Sequence, residues 1–327
     1  MGIYGARRLP QPGCRLAHAF ITGGRGFLAR HITARLIEEG HRVTVLSRPG
    51  GSSRARAVIQ RGVAVREGDL LRSKGQLIPA GADLVFHLAA KTSPSASIGE
   101  PVETFEVNAM GTARLLEEIR NRRLKVRRFV LASTSLVYAP SRGRPLRESD
   151  PVQPASPYAA SKLAAETYAL ACDPLFDIPV SVVRVFNAYG PGQSGEFAVP
   201  SFITRCMGGG ELRIGNPWPV RDFVYASDAA DVFYRAAMSR KARGQVFNAG
   251  TGRGTSIERM ARETLRATGS RSAPRPDPAL FRANDVRHLV ADMGRARRLL
   301  GWRSRVTLRE GLERTAASMG ARQRGPY

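Results

Sequence analysis

A tyrosine and a lysine stand four residues apart in the segment SPYAASK, residues 156–162. Ser156 can cap a helix and Pro157 suits a first helical turn, so the segment predicts the start of a helix. On that helix Tyr158 and Lys162 lie on one face, close enough to interact. A free tyrosine titrates near ~10 and is a poor base at neutral pH, unless a nearby cation favours the phenolate. Lys162 can supply that cation, so the pair could accept a proton from a substrate hydroxyl, although such pairs also arise by chance on helices.

The segment AHAFITGGRGFLARHITARLIEEGHRVTVLSR predicts the first element that could present a ligand to this pair. It contains a buried apolar strand, a glycine turn, an amphipathic helix that ends at Gly40, and a second strand over 42–46. Gly23, Gly26 and Ala29 fit the spacing G-x-x-G-x-x-A between strand and helix. In that context backbone amides and a helix N-terminus can hold a pyrophosphate, and a side chain at either glycine would crowd it. A tight turn without a ligand is the plainer alternative.

Strands and helices continue to alternate after this unit. Apolar runs predict strands in GVAVREGD, ADLVFHLAA, RRFVLAS and PVSVVRVFNAYG, with helices in ETFEVNAMGTARLLEEIRNR and SPYAASKLAAETYALAC. This alternation is typical of the α/β class with a doubly wound parallel sheet, the Rossmann arrangement. After about Asn187 glycine and proline become frequent, as where loops surround a ligand. We expect a dinucleotide-binding Rossmann domain over 1–187, to which residues about 223–250 return, and a smaller substrate-binding region over 188–327.

The end of the second strand bears on the choice of dinucleotide. Folds of this kind often place an acid there for the ribose hydroxyls, whereas this chain has Ser47 and Arg48, with Arg54 and Arg56 nearby. An arginine at this point suits a 2′-phosphate, so the sequence favours NADP over NAD. In an arginine-rich chain, however, Arg48 could equally be a solvated surface residue.

The formal charge of +24 first suggests a polyanionic partner. The arginines are scattered, however, and no aromatic-basic signature of an RNA-binding sheet occurs, so we expect small anionic ligands and no nucleic acid. No stretch is apolar over the length needed to cross a bilayer, and MGIYGARRLPQPGCRL has no apolar core of a signal peptide. We expect a cytoplasmic protein with a short disordered leader and no membrane contact. Cys14, Cys172 and Cys206 show no metal-ligand spacing, so no metal site is expected.

Several motifs occur in a fixed order: TGGRGF, HLAA, NAMGT, ASTSLVY and YAASK, followed by RVFNAYGPG, PVRDFVYASD and RANDVRHLVADMGRARRLLGW. In this order the sequence resembles the extended short-chain dehydrogenase/reductases. More specifically, it is similar to the NAD(P)-dependent epimerase/dehydratase family that acts on nucleotide-diphosphate sugars. The resemblance runs from about Ala19 to about Leu312.

The resemblance implies a catalytic set of three side chains. Tyr158 would be the general base that takes a sugar hydroxyl proton while hydride passes to the nicotinamide. Lys162 would lower the pKa of that tyrosine and bind the nicotinamide ribose. Thr134 would hydrogen-bond the reacting oxygen, although a threonine at a strand end can also simply satisfy a backbone group.

The resemblance also implies two binding sets. The cofactor set comprises Gly23, Gly26, Phe27, Leu28, Arg48, Asp69, Leu70, Leu88, Ala89, Ala90, Asn108, Tyr158 and Lys162. The set for the nucleotide-diphosphate sugar comprises Thr134, Ser135, Asn187, Arg221 and Arg282. Arginine suits this ligand because its planar fork binds phosphate oxygens bidentately. Without the resemblance, we would interpret several of these residues as ordinary turn or core residues.

The residues after Thr134 bear on which reaction is expected. Hexose 4,6-dehydratases of the family usually have an acid and a glutamate there, and this chain has Ser135 and Leu136. A partner for elimination is therefore missing, which leaves a 4-epimerase, slightly favoured, or an NADPH-dependent reductase of nucleotide-4-keto-6-deoxysugars. A non-catalytic dinucleotide-binding sensor or scaffold is a third reading, but such a protein would be expected to lose the tyrosine or the lysine.

Family members commonly dimerise by packing two helices from each subunit into a four-helix bundle. The helices predicted over 102–121 and 157–172 are the candidates in this chain. We therefore expect a homodimer, although the apolar faces of these helices could equally belong to the core.

Overall fold

A computed structural model describes residues 16–50, 62–73, 75–141, 143–281 and 286–323 of the chain. The strands are β1 (His18–Thr22), β2 (Arg42–Ser47), β3 (Ala64–Glu67), β4 (Leu84–His87), β5 (Arg128–Thr134), β6 (Val180–Val185), β7 (Asn187–Tyr189), β8 (Leu212–Ile214), β9 (Val220–Tyr225), β10 (Gln245–Ala249), β11 (Gly254–Ser256), β12 (Pro274–Pro276) and β13 (His288–Leu289). The α-helices are α1 (Phe27–Glu38), α2 (Ala96–Gly99), α3 (Pro101–Phe105), α4 (Gly111–Asn121), α5 (Pro157–Phe176), α6 (Ala198–Met207), α7 (Ala226–Met238), α8 (Ile257–Thr268), α9 (Gly294–Leu300) and α10 (Leu308–Gln323).

The chain divides into two compact units that interleave along the sequence. The described residues of the first come from Met1–Val137, Ser156–Val183 and Ala230–Phe247. Those of the second come from Tyr138–Ala155, Arg184–Ala229 and Asn248–Tyr327.

The largest difference between these units and the domains expected from the sequence lies in one segment. The segment Tyr138–Ala155 belongs to the second unit, because the backbone N–H of Leu146 donates to Val290 O at 2.8 Å and its carbonyl accepts from Asp292 N at 2.7 Å. The segment that returns to the first unit is Ala230–Phe247, inside the expected 223–250. That the second unit binds the substrate stays a prediction.

The first unit is built on a seven-stranded parallel sheet flanked by helices, with strand order β10-β6-β5-β4-β1-β2-β3. This confirms the Rossmann-like α/β fold. Strands β1 and β4 are buried along their whole length, because helices cover both faces of a parallel sheet, whereas β3 is exposed at the edge. In the register Thr22 lies opposite both Leu46 and His87, so the strands β1, β2 and β4 end together. Ligands of such sheets bind at this carboxyl edge.

The region expected to be one helix over residues 103–122 contains an irregular turn. Between α3 and α4 the backbone forms a π-helix over Glu106–Met110. One extra residue in this turn accompanies the complete burial of Asn108. Single π turns inside α-helices occur often at functional sites, and the sequence pattern alone did not predict this one.

The second unit holds two small sheets. Strands β11, β9 and β13 form the first, and β7 pairs with β9, while β12 and β8 form the second. Helices α6, α8 and α10 pack on one another, and their core includes Tyr189, Phe223 and Leu312. Within the described ranges, no helix is long and apolar enough to span a membrane.

Candidate active site

The helix that carries the tyrosine and the lysine begins where the sequence predicted. Ser156 caps α5 by accepting a hydrogen bond from Ala159 N at 3.2 Å, and Pro157 occupies the first turn. Tyr158 and Lys162 both face inward, with exposed fractions of 8% and 3%. The capping residues therefore place both side chains inside the first unit.

The strand β5 brings a hydroxyl group to this tyrosine. Thr134 ends the strand, is buried, and brings its hydroxyl close enough to Tyr158 to lower the pKa of the phenol. Its Oγ1 also accepts from Leu136 N at 3.2 Å, so the backbone contact and the contact with the tyrosine coexist. Ser135 follows as a buried residue in a short 3₁₀ turn.

The charge states of the pair differ from the expectation. Burial raises the pKa of Tyr158 to about 12, and the nearby hydroxyl of Thr134 lowers it only in part. Burial also lowers the pKa of Lys162 to about 8, against a smaller raising effect of Glu166. The expected lowering of the pKa of Tyr158 by Lys162 is therefore not seen in the polypeptide alone, because loss of hydration disfavours the phenolate more strongly. To ionise at neutral pH, Tyr158 needs more positive charge nearby than the chain supplies.

The glycine turn after β1 fits the phosphates of a dinucleotide. Gly23 has φ +70°, and a Cβ there would lie 2.8 Å from Ala89 N. Gly26 precedes α1 without any side-chain cap, so the amides of Phe27 and Leu28 in the first turn have no acceptor within the helix. These amides and the positive end of the helix dipole suit an anion, and the absent side chains leave room for it.

A buried threonine and histidine support this turn from below. Thr22 Oγ1 accepts from Leu88 N at 3.2 Å and from Ala89 N at 3.1 Å, so its own proton goes to His87 Nδ1 at 2.6 Å. His87 Nε2 then donates to Thr112 Oγ1 at 3.0 Å. The hydroxyl and imidazole groups thus fix the loop of the HLAA motif against the end of β1.

This histidine is neutral. Burial, and secondarily the charge of Lys162, lowers the pKa of His87 to about 3. A single tautomer, protonated on Nε2, satisfies both of its hydrogen bonds.

Asn108 connects the same loop to the helix of the tyrosine. Its Nδ2 donates to Lys91 O at 3.0 Å and to Ser161 Oγ at 2.9 Å, and its Oδ1 accepts from Lys91 N at 2.8 Å. Ser161 Oγ donates in turn to Tyr158 O at 2.8 Å. Asn108 therefore positions the first turns of α5, the helix that carries Tyr158 and Lys162.

The ends of β1 and β2 carry polar groups without partners. Ser47 is buried, and its Oγ finds no hydrogen-bond partner in the described part of the chain. The same holds for Nε and Nη2 of Arg25, inside the glycine turn. Arg48, directly after β2, is exposed. Buried polar groups are normally satisfied, so these atoms indicate room for a polar ligand at this edge.

The other residues expected to contact the cofactor lie near the same edge. Asp69 follows β3, and its Oδ1 accepts from Leu71 N at 2.8 Å and Arg72 N at 3.0 Å, as in a turn. Leu70 is buried against the start of α4, and Ala90 is half-buried after β4. The first unit thus brings together all the residues expected to contact the cofactor.

Two of the residues expected to bind substrate only lie in one sheet of the second unit. Asn187 begins β7 and lies opposite Phe223 on β9, two residues along from Arg221. Arg221 Nη1 donates to Val286 O at 2.5 Å and to Val220 O at 3.0 Å. Arg282, with Arg54, Arg56, Cys14 and the leader, lies outside the described residues.

Comparison with known proteins identifies the family. The family described as GDP-mannose 4,6 dehydratase matches residues 20–315. A UDP-glucose 4-epimerase of Mycolicibacterium smegmatis is 33% identical over 306 residues, which cover 90% of this chain and 96% of the relative. The chain belongs to the nucleotide-sugar epimerase/dehydratase family.

Solved structures agree with this membership. The crystal structure of a UDP-glucose 4-epimerase from Thermotoga maritima with UDP-glucose superposes with a TM-score of 0.84 at 29% identity, covering 94% of this chain and 99% of that one. The UDP-glucose 4-epimerase of Thermus thermophilus in complex with NAD gives 0.82 at 29% identity, covering 93% and 99%. The predicted extended short-chain dehydrogenase/reductase family, with its dependence on NAD(P), is confirmed.

Four functional candidates of this family member escaped the sequence analysis. Thr22 and His87 stand inside or beside quoted motifs, but their partners are distant in sequence, and only the fold shows them. Arg25 could have been found, because an arginine inside a phosphate turn is itself a charge signal. Glu166 lies one helical turn after Lys162, but its burial could not be inferred from the sequence pattern.

Proposed function

We propose that the protein is an NAD(P)-dependent nucleotide-diphosphate-sugar 4-epimerase that works through a transient keto-sugar. The observation that carries this proposal is the burial of Tyr158 beside the hydroxyl of Thr134, with Lys162 one helical turn away from the tyrosine. A UDP-glucose 4-epimerase is also among the similar proteins, at 33% identity.

In this proposal Tyr158 takes the proton of a sugar hydroxyl, and Thr134 hydrogen-bonds the oxygen that loses it. The bound oxidised nicotinamide supplies a hydride acceptor and a positive charge. Lys162 adds a second positive charge, and together these offset the burial that raises the pKa of Tyr158. The burial of Tyr158 and Lys162 would keep water from the keto-sugar, and a dinucleotide held at the glycine turn would supply the hydride that returns to the other face of the sugar to give the epimer.

The residues after Thr134 support epimerisation over dehydration. Ser135 is buried and Leu136 is half-buried, so neither supplies the carboxyl group that elimination of water needs. The matching family is described by a dehydratase activity, so the two reactions have to be distinguished. The mass of the product does this, because dehydration removes one water and epimerisation leaves the mass unchanged.

We further propose that Asn187, Arg221 and Arg282 contact the nucleotide diphosphate. Arg221 is positioned by two backbone carbonyls, and a guanidinium held in this way suits the recognition of phosphate oxygens.

For the cofactor we propose a preference for NADP. Ser47 and Arg48 stand at the end of β2 where an acid often binds the ribose hydroxyls, and Arg25, Ser47 and Arg48 supply two cations and a hydroxyl that has no partner within the described residues. These same residues favour the alternative activity, an NADPH-dependent reductase of nucleotide-4-keto-6-deoxysugars. The ratio of the dissociation constants of NADPH and NADH, measured by fluorescence, tests the preference directly.

We also propose a homodimer formed through the helices expected from the sequence. Val102, Phe105 and Met110 leave large apolar side chains exposed beside α5. Exposed apolar groups clustered on neighbouring helices are typical of an interface.

The experiment that tests the function is incubation with UDP-, dTDP-, GDP- and CDP-sugars, with and without NADPH, followed by mass spectrometry and NMR. An isomer of unchanged mass without added reductant is the expected result. A gain of two hydrogens with consumption of NADPH would instead establish the reductase, and loss of water would establish a dehydratase.

A further inference from the structure

A third ionisable side chain lies buried on the helix of Tyr158 and Lys162. Glu166 stands one turn beyond Lys162 on α5 and is 1% exposed. A carboxylate at such depth is costly unless hydrogen bonds and an opposite charge compensate its lost hydration.

The hydrogen bond comes from the strand that also carries the hydroxyl at the site. Ser133 Oγ donates to Glu166 Oε1, and Ser133 itself is buried directly before Thr134. The carboxylate is thus fixed on β5, against which α5 packs.

The opposite charge is Lys162. Residues four apart on a helix are neighbours, and the charge of Glu166 raises the pKa of Lys162 against the larger effect of burial. His87, from β4, faces the same lysine but is neutral throughout the usual assay range.

The remaining charged groups on elements packed against α5 do not act on this lysine. They are exposed, are paired with neighbours, or lie near Asp173 at the far end of the helix: Glu103, Glu106, Arg114, Glu117, Glu118, Arg120 and Arg128. Among the described residues, Glu166 is therefore the anion that compensates Lys162.

We propose that Glu166 is a positioning residue whose carboxylate, fixed by Ser133, keeps Lys162 in its ammonium form. Lys162 then retains its charge when Tyr158 gives up its proton. The effect on Lys162 stands by itself, whereas its catalytic consequence rests on the proposed function.

The composition of the chain makes this proposal directly measurable. The protein has five lysines, at positions 74, 91, 125, 162 and 241, so labelling with ¹³Cε-lysine gives a simple NMR spectrum. The signal of Lys162 is assigned from its loss in Lys162→Met, and its shift is followed against pH in the full chain.

The test variant is Glu166→Gln, which removes the charge but can still accept the hydrogen bond of Ser133. Because the ammonium form loses its counter-ion, the midpoint of Lys162 should fall by about one pH unit. In Glu166→Asp, which keeps the charge, the midpoint of Lys162 should lie close to the wild-type value. Should E166Q not fold, Glu166→Met supplies a neutral side chain of similar length.

The matched control is Asp173→Asn, another buried carboxylate on α5. Asp173 accepts from Val180 N and Arg243 Nε, far along the helix from Lys162. D173N should reduce stability and leave the midpoint of Lys162 unchanged. An unchanged midpoint in E166Q, or an equal fall in D173N, would overturn the proposal.

The catalytic consequence is read from the pH dependence of kcat/KM. Since Lys162 must stay charged, the basic limb of the profile should move to lower pH in E166Q, in parallel with the NMR midpoint. A shifted midpoint with an unmoved basic limb would refute the positioning role. Absence of turnover with every nucleotide sugar would count against the proposed function, while the NMR titration would still decide the effect on Lys162.

Discussion

The chemistry of the site depends on two side chains that burial drives toward their neutral forms. The pKa of Tyr158 is raised to about 12 and that of Lys162 is lowered to about 8. A base is most effective when its pKa lies near the working pH, so positive charge must be added next to the phenol. In the proposed mechanism the polypeptide supplies the charge of Lys162, which Glu166 stabilises, and a bound oxidised nicotinamide would supply the rest.

Replacing Tyr158 by phenylalanine should remove the base and little else. We expect kcat of Tyr158→Phe to fall by about 10²- to 10⁴-fold, because the general base contributes an effect of that size. The fold and cofactor affinity should stay unchanged, as measured by circular dichroism and fluorescence titration. Tyr168→Phe, at an exposed tyrosine on the same helix, is the control and should retain full turnover. Normal activity in Y158F would contradict the assignment.

The buried neutral His87 should make the fold sensitive to acid. Its pKa is about 3 in the folded chain against an ordinary 6.5, so the unfolded state binds more protons between these values. Stability is therefore full above pH 6.5 and is lost as the pH falls toward 3. Between pH 7 and pH 5 the loss from this group should be about 2 kcal/mol. Urea unfolding at both pH values should show this loss in the wild type and a correspondingly smaller one in His87→Gln; equal losses would refute it.

At this scale the sequence indicated which side chains would lie together but not the direction of their pKa shifts. Tyr158, Lys162 and Thr134 stand in recognisable spacings, and the structure places them together inside the first unit. The direction of the pKa shifts depends on burial, which comes from the packing of α5 on β5 and has no local signature.

At the scale of elements, the proposed cofactor site depends on the turn between β1 and α1. Gly23 combines φ +70° with a close approach to the backbone of Ala89. Only glycine meets both conditions without strain.

Gly23→Ala should therefore lower the affinity for the dinucleotide at least about tenfold, because the added methyl group displaces the loop that lines the site. The measurement is a fluorescence titration with NADPH and NADH. Gly81→Ala is the matched control, since Gly81 has φ +75° but nothing within 4 Å of the position that an added methyl group would take. G81A should cost about 1–2 kcal/mol of stability and leave cofactor affinity intact. Equal losses of affinity would contradict the account.

Some of these elements could be predicted from the sequence and others could not. Strands β1, β2 and β4 and helix α1 follow from apolar periodicity and glycine placement, and the structure has them within a few residues of expectation. The π turn around Asn108 was not predicted, because it depends on hydrogen bonds to Lys91 and Ser161, which are distant along the chain.

At the scale of the whole molecule, the proposed dimer can be tested by one surface charge. Phe105 is an exposed aromatic residue on α3. Phe105→Glu should give a monomeric mass by light scattering where the wild type gives a dimer, because a buried unpaired carboxylate opposes association. Met207→Glu, at an exposed apolar residue of the second unit, should leave the mass unchanged. A monomeric wild type would refute the dimer.

The division of the chain shows what composition could and could not predict. The rise in glycine and proline content near Asn187 lies close to the boundary between the units at Arg184. The transfer of Tyr138–Ala155 to the second unit was not predicted, because it depends on backbone pairing of Leu146 with a segment more than 140 residues later.

The central claim is that Tyr158 directs a reversible hydride transfer at one carbon of a nucleotide sugar. The most direct measurement follows a nucleotide sugar deuterated at the carbon that inverts, with product analysis by NMR. We expect the epimer to form with its deuterium retained at that carbon in wild type, and to form about 10²- to 10⁴-fold more slowly in Y158F. Loss of the deuterium to solvent, or equal product formation in both proteins, would contradict it.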